Sequence, residues 1–219
     1  MKKLVKILLI CGIIIPLFYI CVDTLSAFLY EGYKYTDQAI SELSAIGAPT
    51  SWIWIILNLI YNPLLIAFGA GVIMSAGDKK SLSISGILMV MDGVIGFGWL
   101  LFPMNTRGNI GSATDTGHLV MSGLTVLLML LFVAFGSGAS GKRFRAYSIL
   151  TIFVMLGFGM YVGAQAPRVA AQLPTPWMGI MERISVFSPM IWVLVLAIVL
   201  LRASGKNTAK SAAGKNATN

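Results

Sequence analysis

Six long apolar runs constrain this 219-residue sequence more than any other feature. They cover residues 4–22, 52–76, 82–102, 117–135, 146–166 and 184–201. A helix crosses the hydrocarbon of a bilayer with about 20 mostly apolar residues. Unpaired backbone groups are too costly in hydrocarbon, so only helices and closed barrels span it. Barrel strands take about 9–11 residues, half the length of these runs. The sequence therefore predicts an all-α, polytopic membrane protein built as a bundle of six transmembrane helices. The spans are expected at about 4–29, 52–76, 82–102, 117–137, 144–166 and 182–201, forming one domain over residues 1–201. Composition agrees, with 57% hydrophobic and 11% charged residues. An average soluble domain carries about 25% charged residues.

The net charge of +8 would point to nucleic acid in a soluble protein. Here the basic residues sort by side of the membrane. With both termini cytoplasmic, the inner segments hold Lys2, Lys3, Lys6, Lys79, Lys80, Lys142, Arg143, Arg145, Arg202, Lys206, Lys210 and Lys215. The outer segments hold Lys34, Arg107, Arg168 and Arg183. This is a positive-inside bias. It predicts a multi-pass protein of the plasma membrane, N-in and C-in, with lipid as its surroundings and no nucleic-acid partner. Trp52, Trp54, Trp99 and Trp177 fall near the expected outer interface, where amphipathic rings settle. Met1-Lys2-Lys3 imitates the start of a signal peptide, but the apolar region is too long and lacks a cleavage site. Cys11 and Cys21 sit too far apart on one helix to bridge and read as apolar fillers. Residues 202–219 are Lys, Ala, Ser, Asn and Gly, and read as a disordered basic cytoplasmic tail. Its Asn216-Ala217-Thr218 matches a glycosylation acceptor, on the wrong side for modification.

Polar chemistry collects on the outer side. In the first outer loop Thr36 can cap a short amphipathic helix running to about Ile46, ended by Gly47 and Pro49. Ile40, Leu43 and Ile46 share one side of that helix; Asp37, Ser41 and Ser44 share the other. It reads either as an interfacial helix lying on the bilayer or as a lid turning Asp37 and Ser41 toward a pocket.

Within the spans, Asn58, Tyr61 and Asn62 lie on one face of the second helix, just before Pro63. Pro16 and Pro189 are positioned to bend the first and sixth. Polar groups in lipid need partners, so the Asn58–Asn62 face should point into the bundle. Asp92 sits near the middle of the third span. A lone carboxylate there costs roughly 2.5–3.5 kcal/mol on insertion scales. One solution is a neutral Asp92 donating to Asn62; the other is a proton or cation site. Gly93, Gly96 and Gly98 follow it and permit close helix approach. Gly159 and Gly163 can serve packing within one bundle or between two.

His118 is the only histidine and opens the fourth span behind Thr114-Asp115-Thr116, with Ser122 and Thr125 below it. It reads as a capped-helix hydrogen-bonder or as a general acid/base facing outward. Glu182 and Arg183 open the sixth span. Adjacent helical residues point to different faces, so each needs a partner elsewhere. Arg183 at a helix N-terminus is electrostatically misplaced. It calls for an external anion or an acid such as Asp37, Glu42 or Asp115.

Several short motifs stand in a particular order: Gly32-Tyr33, Ile40-Ser41-Glu42-Leu43, Ala48-Pro49, Phe102-Pro103, His118, Gly179-Ile180-Met181-Glu182-Arg183 and Trp192. Together they resemble the DUF998 family of six-span prokaryotic membrane proteins over nearly the whole chain except the tail. Members often carry an acid two residues after Phe-Pro, where this chain has Asn105. The resemblance implies a six-helix fold and marks Ser41, His118, Glu182 and Arg183. It implies no reaction.

One histidine and two cysteines cannot make a histidine-rich zinc site or a two-histidine haem site, so no metal or cofactor is expected. No phosphate-binding loop, nucleophile elbow or dinucleotide fingerprint is present. What remains is an outward-facing polar pocket under the first loop, with Asp37, Ser41, Glu42, His118, Glu182 and Arg183 as ligand-binding candidates. The expected ligand is a lipid headgroup or a small amphipathic molecule. A second possibility is an acyl-transfer or hydrolytic enzyme with Ser41, His118 and Glu182 as catalytic candidates. A third is a proton- or ion-coupled transporter using Asp92, and a fourth a structural or partner-binding protein.

Overall fold

The computed structural model describes residues 2–216, with side chains described over 3–204. It contains α1 (Lys2–Leu29), α2 (Ser51–Ser75), α3 (Lys80–Ile95), α4 (Ala113–Gly136), α5 (Lys142–Ala164), the short α6 (Ala166–Ala170) and α7 (Met178–Asn216). Among the described residues there is no strand. Six of these segments are long and apolar enough to cross a membrane. The chain is an all-helical, multi-pass membrane protein.

Helices α1 to α4 pack in sequence order, and α7 closes the row by packing on α1 and α5. Helix α5 lies against α7 and exposes Leu150, Phe153 and Met160 on its free side. The main core surrounds Trp192 of α7, whose Nε1 donates to Ser148 Oγ of α5 at 2.8 Å. Phe132 and Phe144 lie against its ring. Between α2 and α3 the backbones nearly touch. A Cβ on Gly69 would meet the Gly86 carbonyl oxygen, and one on Gly86 would meet that of Gly69, each at 2.7 Å. Gly93 likewise faces the Asn62 carbonyl. Small residues at such a crossing let dispersion forces act over a long seam. Gly159 approaches Ser185 of α7 within the bundle, whereas Gly163 faces open space.

The first loop departs from expectation. Instead of an α-helix from Thr36 to Ile46, it forms one 3-10 turn, Ile40–Ser44. The first hydrogen bond of the expected helix would join Ile40 N–H to the Thr36 carbonyl. Both groups are already taken by α7: Ile40 N–H donates to Glu182 Oε2 at 2.6 Å, and Thr36 O accepts from Ile180 N–H at 3.2 Å. Glu42 Oε1 accepts from Ala39 N–H at 2.9 Å, which caps the short turn. Ile40 and Leu43 are buried as their spacing suggests, but Ile46 is exposed.

Two helix ends also differ. The cap of α4 is Ser112 rather than the Thr114–Thr116 region. Asp115 completes a reciprocal box with it, so two otherwise unpaired N–H groups at the helix start find acceptors. The backbone of α7 stays helical to Asn216, past the domain boundary expected at Leu201. Residues 217–219, with the last two positions of the acceptor tripeptide, lie outside the described residues.

Candidate functional site at the loop end of the bundle

The loops after α1, α3 and α6 meet at one end of the bundle. Arg107, from the loop after α3, donates to Glu42 through Nη2 at 2.7 Å and Nε at 3.1 Å. The same guanidinium reaches Thr175 Oγ1 at 3.0 Å and the Leu173 carbonyl at 3.1 Å. Thr175 Oγ1 donates to the Asp37 carbonyl at 2.7 Å, and Trp177 N–H donates to the Asp37 carboxylate at 3.0 Å. Trp177 holds a positive φ of 65°, uncommon for a side chain with a Cβ. Glycine at 179 is required by the same contact. A Cβ there would collide with the carbonyl oxygens of Tyr35 and Gln38.

Beneath this lid lies an ion pair that the residue pattern did not single out. Arg183 Nε and Nη2 each donate at 2.9 Å to the carboxylate of Asp23 on α1. Arg183 Nη1 donates to the carbonyls of Tyr35 at 3.0 Å and Gly179 at 3.1 Å, and Nη2 also reaches Tyr33 Oη at 2.9 Å. All five guanidinium N–H groups are therefore used within the protein. The Tyr35 ring lies 3.6 Å from the guanidinium carbon, and its hydroxyl donates to Asp23 at 3.2 Å. Tyr33 in turn donates to the carbonyl of Ala39 at 2.8 Å. Burial raises the Tyr33 phenol above its ordinary range, so it remains a neutral donor and acceptor. Burial raises Tyr35 as well.

The expected partners of Arg183 were an external anion, Asp37, Glu42 or Asp115. The acid found beside it is Asp23. Asp37 and Glu42 are held by Trp177 and Arg107 instead. Asp115 accepts from Asn105 N–H and Nδ2, from Gly111 N–H, and from Ser112 N–H and Oγ. Asp23 was legible only as an acid inside the longer version of the first span, 4–29. A charge in an apolar helix is a functional candidate by default.

Asp37, Glu42, Glu182 and Arg183 thus belong to one network. Ser41 and His118 do not join it. Ser41 Oγ contacts Met104 Sδ at 3.5 Å. His118 Nδ1 lies 3.0 Å from the Phe102 carbonyl and its ring meets Trp99 edge-on. A carbonyl only accepts, so Nδ1 carries the proton of the neutral ring. Among the described residues no hydrogen bond links Ser41 with His118, and a nucleophile–base pair is not assembled. Within the bundle Asn58 Nδ2 donates to the Gly96 carbonyl at 3.0 Å, and Asn62 Nδ2 to Asn58 Oδ1 at 3.0 Å. The Asn58–Asn62 face does point inward. The expected Asp92–Asn62 bond is absent: the Asn62 amide donates to Asn58 on its own helix, and its acceptor Oδ1 lies against Gly96 rather than Asp92.

A groove of about 430 Å³ runs along α7, lined by Ile180, Ile184, Phe187 and Ile191, with Val154 of α5 opposite. Tyr35 and Arg183 close its loop end.

The family model described as a protein of unknown function (DUF998) matches residues 13–199. The chain belongs to the DUF998 family. The match reaches into all six membrane-spanning helices and contains both Asp23 and Arg183. No curated protein and no solved structure matches the chain. For this DUF998 member the loop-end network and the groove beneath it are therefore the basis for a functional reading.

Proposed function

We propose that the protein binds a lipid or small amphipathic molecule in the groove along α7. The observation that carries this reading is the groove's polarity profile. Its wall is a stripe of large apolar side chains at helical spacing, and its loop end is formed by Tyr35 and the Arg183 clamp. Ile180 to Ile191 spans about 16 Å at 1.5 Å per residue. That is about half of a 30 Å hydrocarbon core, the reach of an acyl chain in one leaflet. The chain occupies the apolar stripe, and the headgroup meets the phenol and the carbonyl-rich edge of the clamp. The Asp23–Arg183 pair has no net charge, so the site favours a polar or zwitterionic headgroup over a bare anion. The basic-residue asymmetry supports an outward-facing loop end in the plasma membrane. Ligand contact falls to Tyr35, Ile184 and Phe187, while Asp37, Glu42, Glu182 and Arg183 shape the roof.

Native mass spectrometry of the detergent-solubilised protein tests this. Wild type is compared with Ile184→Trp, which fills the groove, and His118→Ala, which lies outside it. A discrete lipid retained by wild type and His118→Ala, and lost from folded Ile184→Trp, is the expected result. Equal, freely exchangeable bulk lipid on all three proteins overturns the reading.

A further inference from the structure

Asp92 of α3 takes no part in the loop-end network. It is buried, and its Oδ1 is out of reach of any hydrogen-bond partner among the described residues. The neighbouring polar groups turn away from it. Asn62 of α2 packs on Gly96, which caps the end of α3 four residues beyond Asp92, yet donates to Asn58. On the other side lies α4. Ser85 Oγ of α3 donates to the Phe132 carbonyl at 2.7 Å, which fixes the antiparallel register. Seven residues along each helix, Thr125 stands opposite Asp92; the approach of Gly98 to Met121 agrees with that register. Thr125 Oγ1 donates to Met121 O of its own helix at 2.9 Å.

Among the described residues no counter-ion is at hand either. Tyr61 of α2 is the titratable neighbour within electrostatic range. Helices α2 and α4 contain no Lys or Arg, and Lys80 lies at the far end of α3. Asp115 and His118 sit at the loop end of α4, with His118 about 10 Å along the axis from Thr125 at 1.5 Å per residue. A carboxylate with a bare oxygen in this setting strongly favours binding something positive. Among the described residues no group of three or more His, Cys, Asp or Glu offers a metal site. A sodium ion needs several oxygens, whereas a proton needs one.

We propose that Asp92 is a proton-binding site in the interior of the membrane domain, gaining and losing a proton at its carboxylate while the protein stays folded. Uptake forms one O–H bond and removes the buried negative charge; release restores it. The site is separate from the groove, and filling the groove with Ile184→Trp leaves it intact.

Infrared spectroscopy of the protein in phosphatidylcholine bilayers, between about pH 5 and about pH 9, tests this. The expected result is a protonated-carboxyl C=O band that loses most of its intensity as pH rises. It persists in Glu182→Gln, which removes the half-buried acid at the start of α7, and is missing in Asp92→Asn. Should Asp92→Asn fail to fold, Asp92→Glu serves instead, since it moves the band rather than deleting it. An Asp92 band constant across the range means a fixed structural acid and overturns the proposal, as does its absence at every pH. Loss of the band on adding sodium at constant pH also overturns it, in favour of a cation site.

Discussion

Asp23 and Arg183 stand 160 positions apart in sequence and meet through two hydrogen bonds of 2.9 Å, fastening the first long helix to the last. The pair is almost fully buried, and the remaining guanidinium donors hold the loop between α1 and α2 in place. Clamp and lid are therefore one structure.

Removing one member of a buried pair strands the other. Asp23→Ala and Arg183→Met should each destabilise the fold by about 3–5 kcal/mol. The double variant Asp23→Leu/Arg183→Met should lose clearly less than the sum, since no buried charge is left over. Arg183→Lys should rank with the single deletions, because an ammonium cannot reproduce the planar fork that reaches Asp23, Tyr33, Tyr35 and Gly179. Equilibrium unfolding in mixed micelles provides the comparison; strict additivity would show that the pair does not couple the helices.

Gly179→Ala forces a methyl against the Tyr35 and Gln38 carbonyls. The loop must lift, at a cost of about 1–3 kcal/mol. Hydrogen exchange should accelerate over residues 35–42, and lipid retention should fall with it. Gly163→Ala is the matched control: it faces open space within a helix and should be neutral or slightly stabilising.

Ser112→Ala removes the cap of α4 and should cost about 1 kcal/mol. Asp115→Ala should cost more. It leaves the N–H groups of Asn105, Gly111 and Ser112 without their acceptor, each worth about 1–3 kcal/mol if it stays dry. Faster exchange at residues 105–112, with the rest of the bundle unchanged, is the signature. Equal effects of the two substitutions would mean that Asp115 acts only as part of the cap.

The spans were legible because bilayer thickness imposes a length that sequence displays directly. The inward face of Asn58 and Asn62 followed from the same solvent logic. Pairings were harder to read. Helical spacing placed Asp37 and Ser41 on a helix that does not exist, because the groups needed for its first hydrogen bond are captured by Ile180 and Glu182 on α7. The Asp23 pairing is hidden in the sequence for a related reason. Asp23 ends an apolar run that can be cut at 22 or at 29, and nothing local indicates an arginine 160 residues away. Likewise, depth alone suggested Asn62 for Asp92, but a neighbour on the same helix, Asn58, was closer to hand.

The clamp between α1 and α7 also sets a timetable for the protein's birth. Synthesis proceeds at about 5–20 residues per second, so Asp23 emerges roughly 8–30 s before the arginine that neutralises it. During that interval an acid on the first helix faces the insertion machinery or lipid alone. The nascent bundle is an open row, with its seam between α1 and α5 unclosed. Arrival of residues 178–204 supplies the missing cation and the closing helix in one event, so a ribosome that stalls before that point leaves a chain marked by an unpaired intramembrane acid.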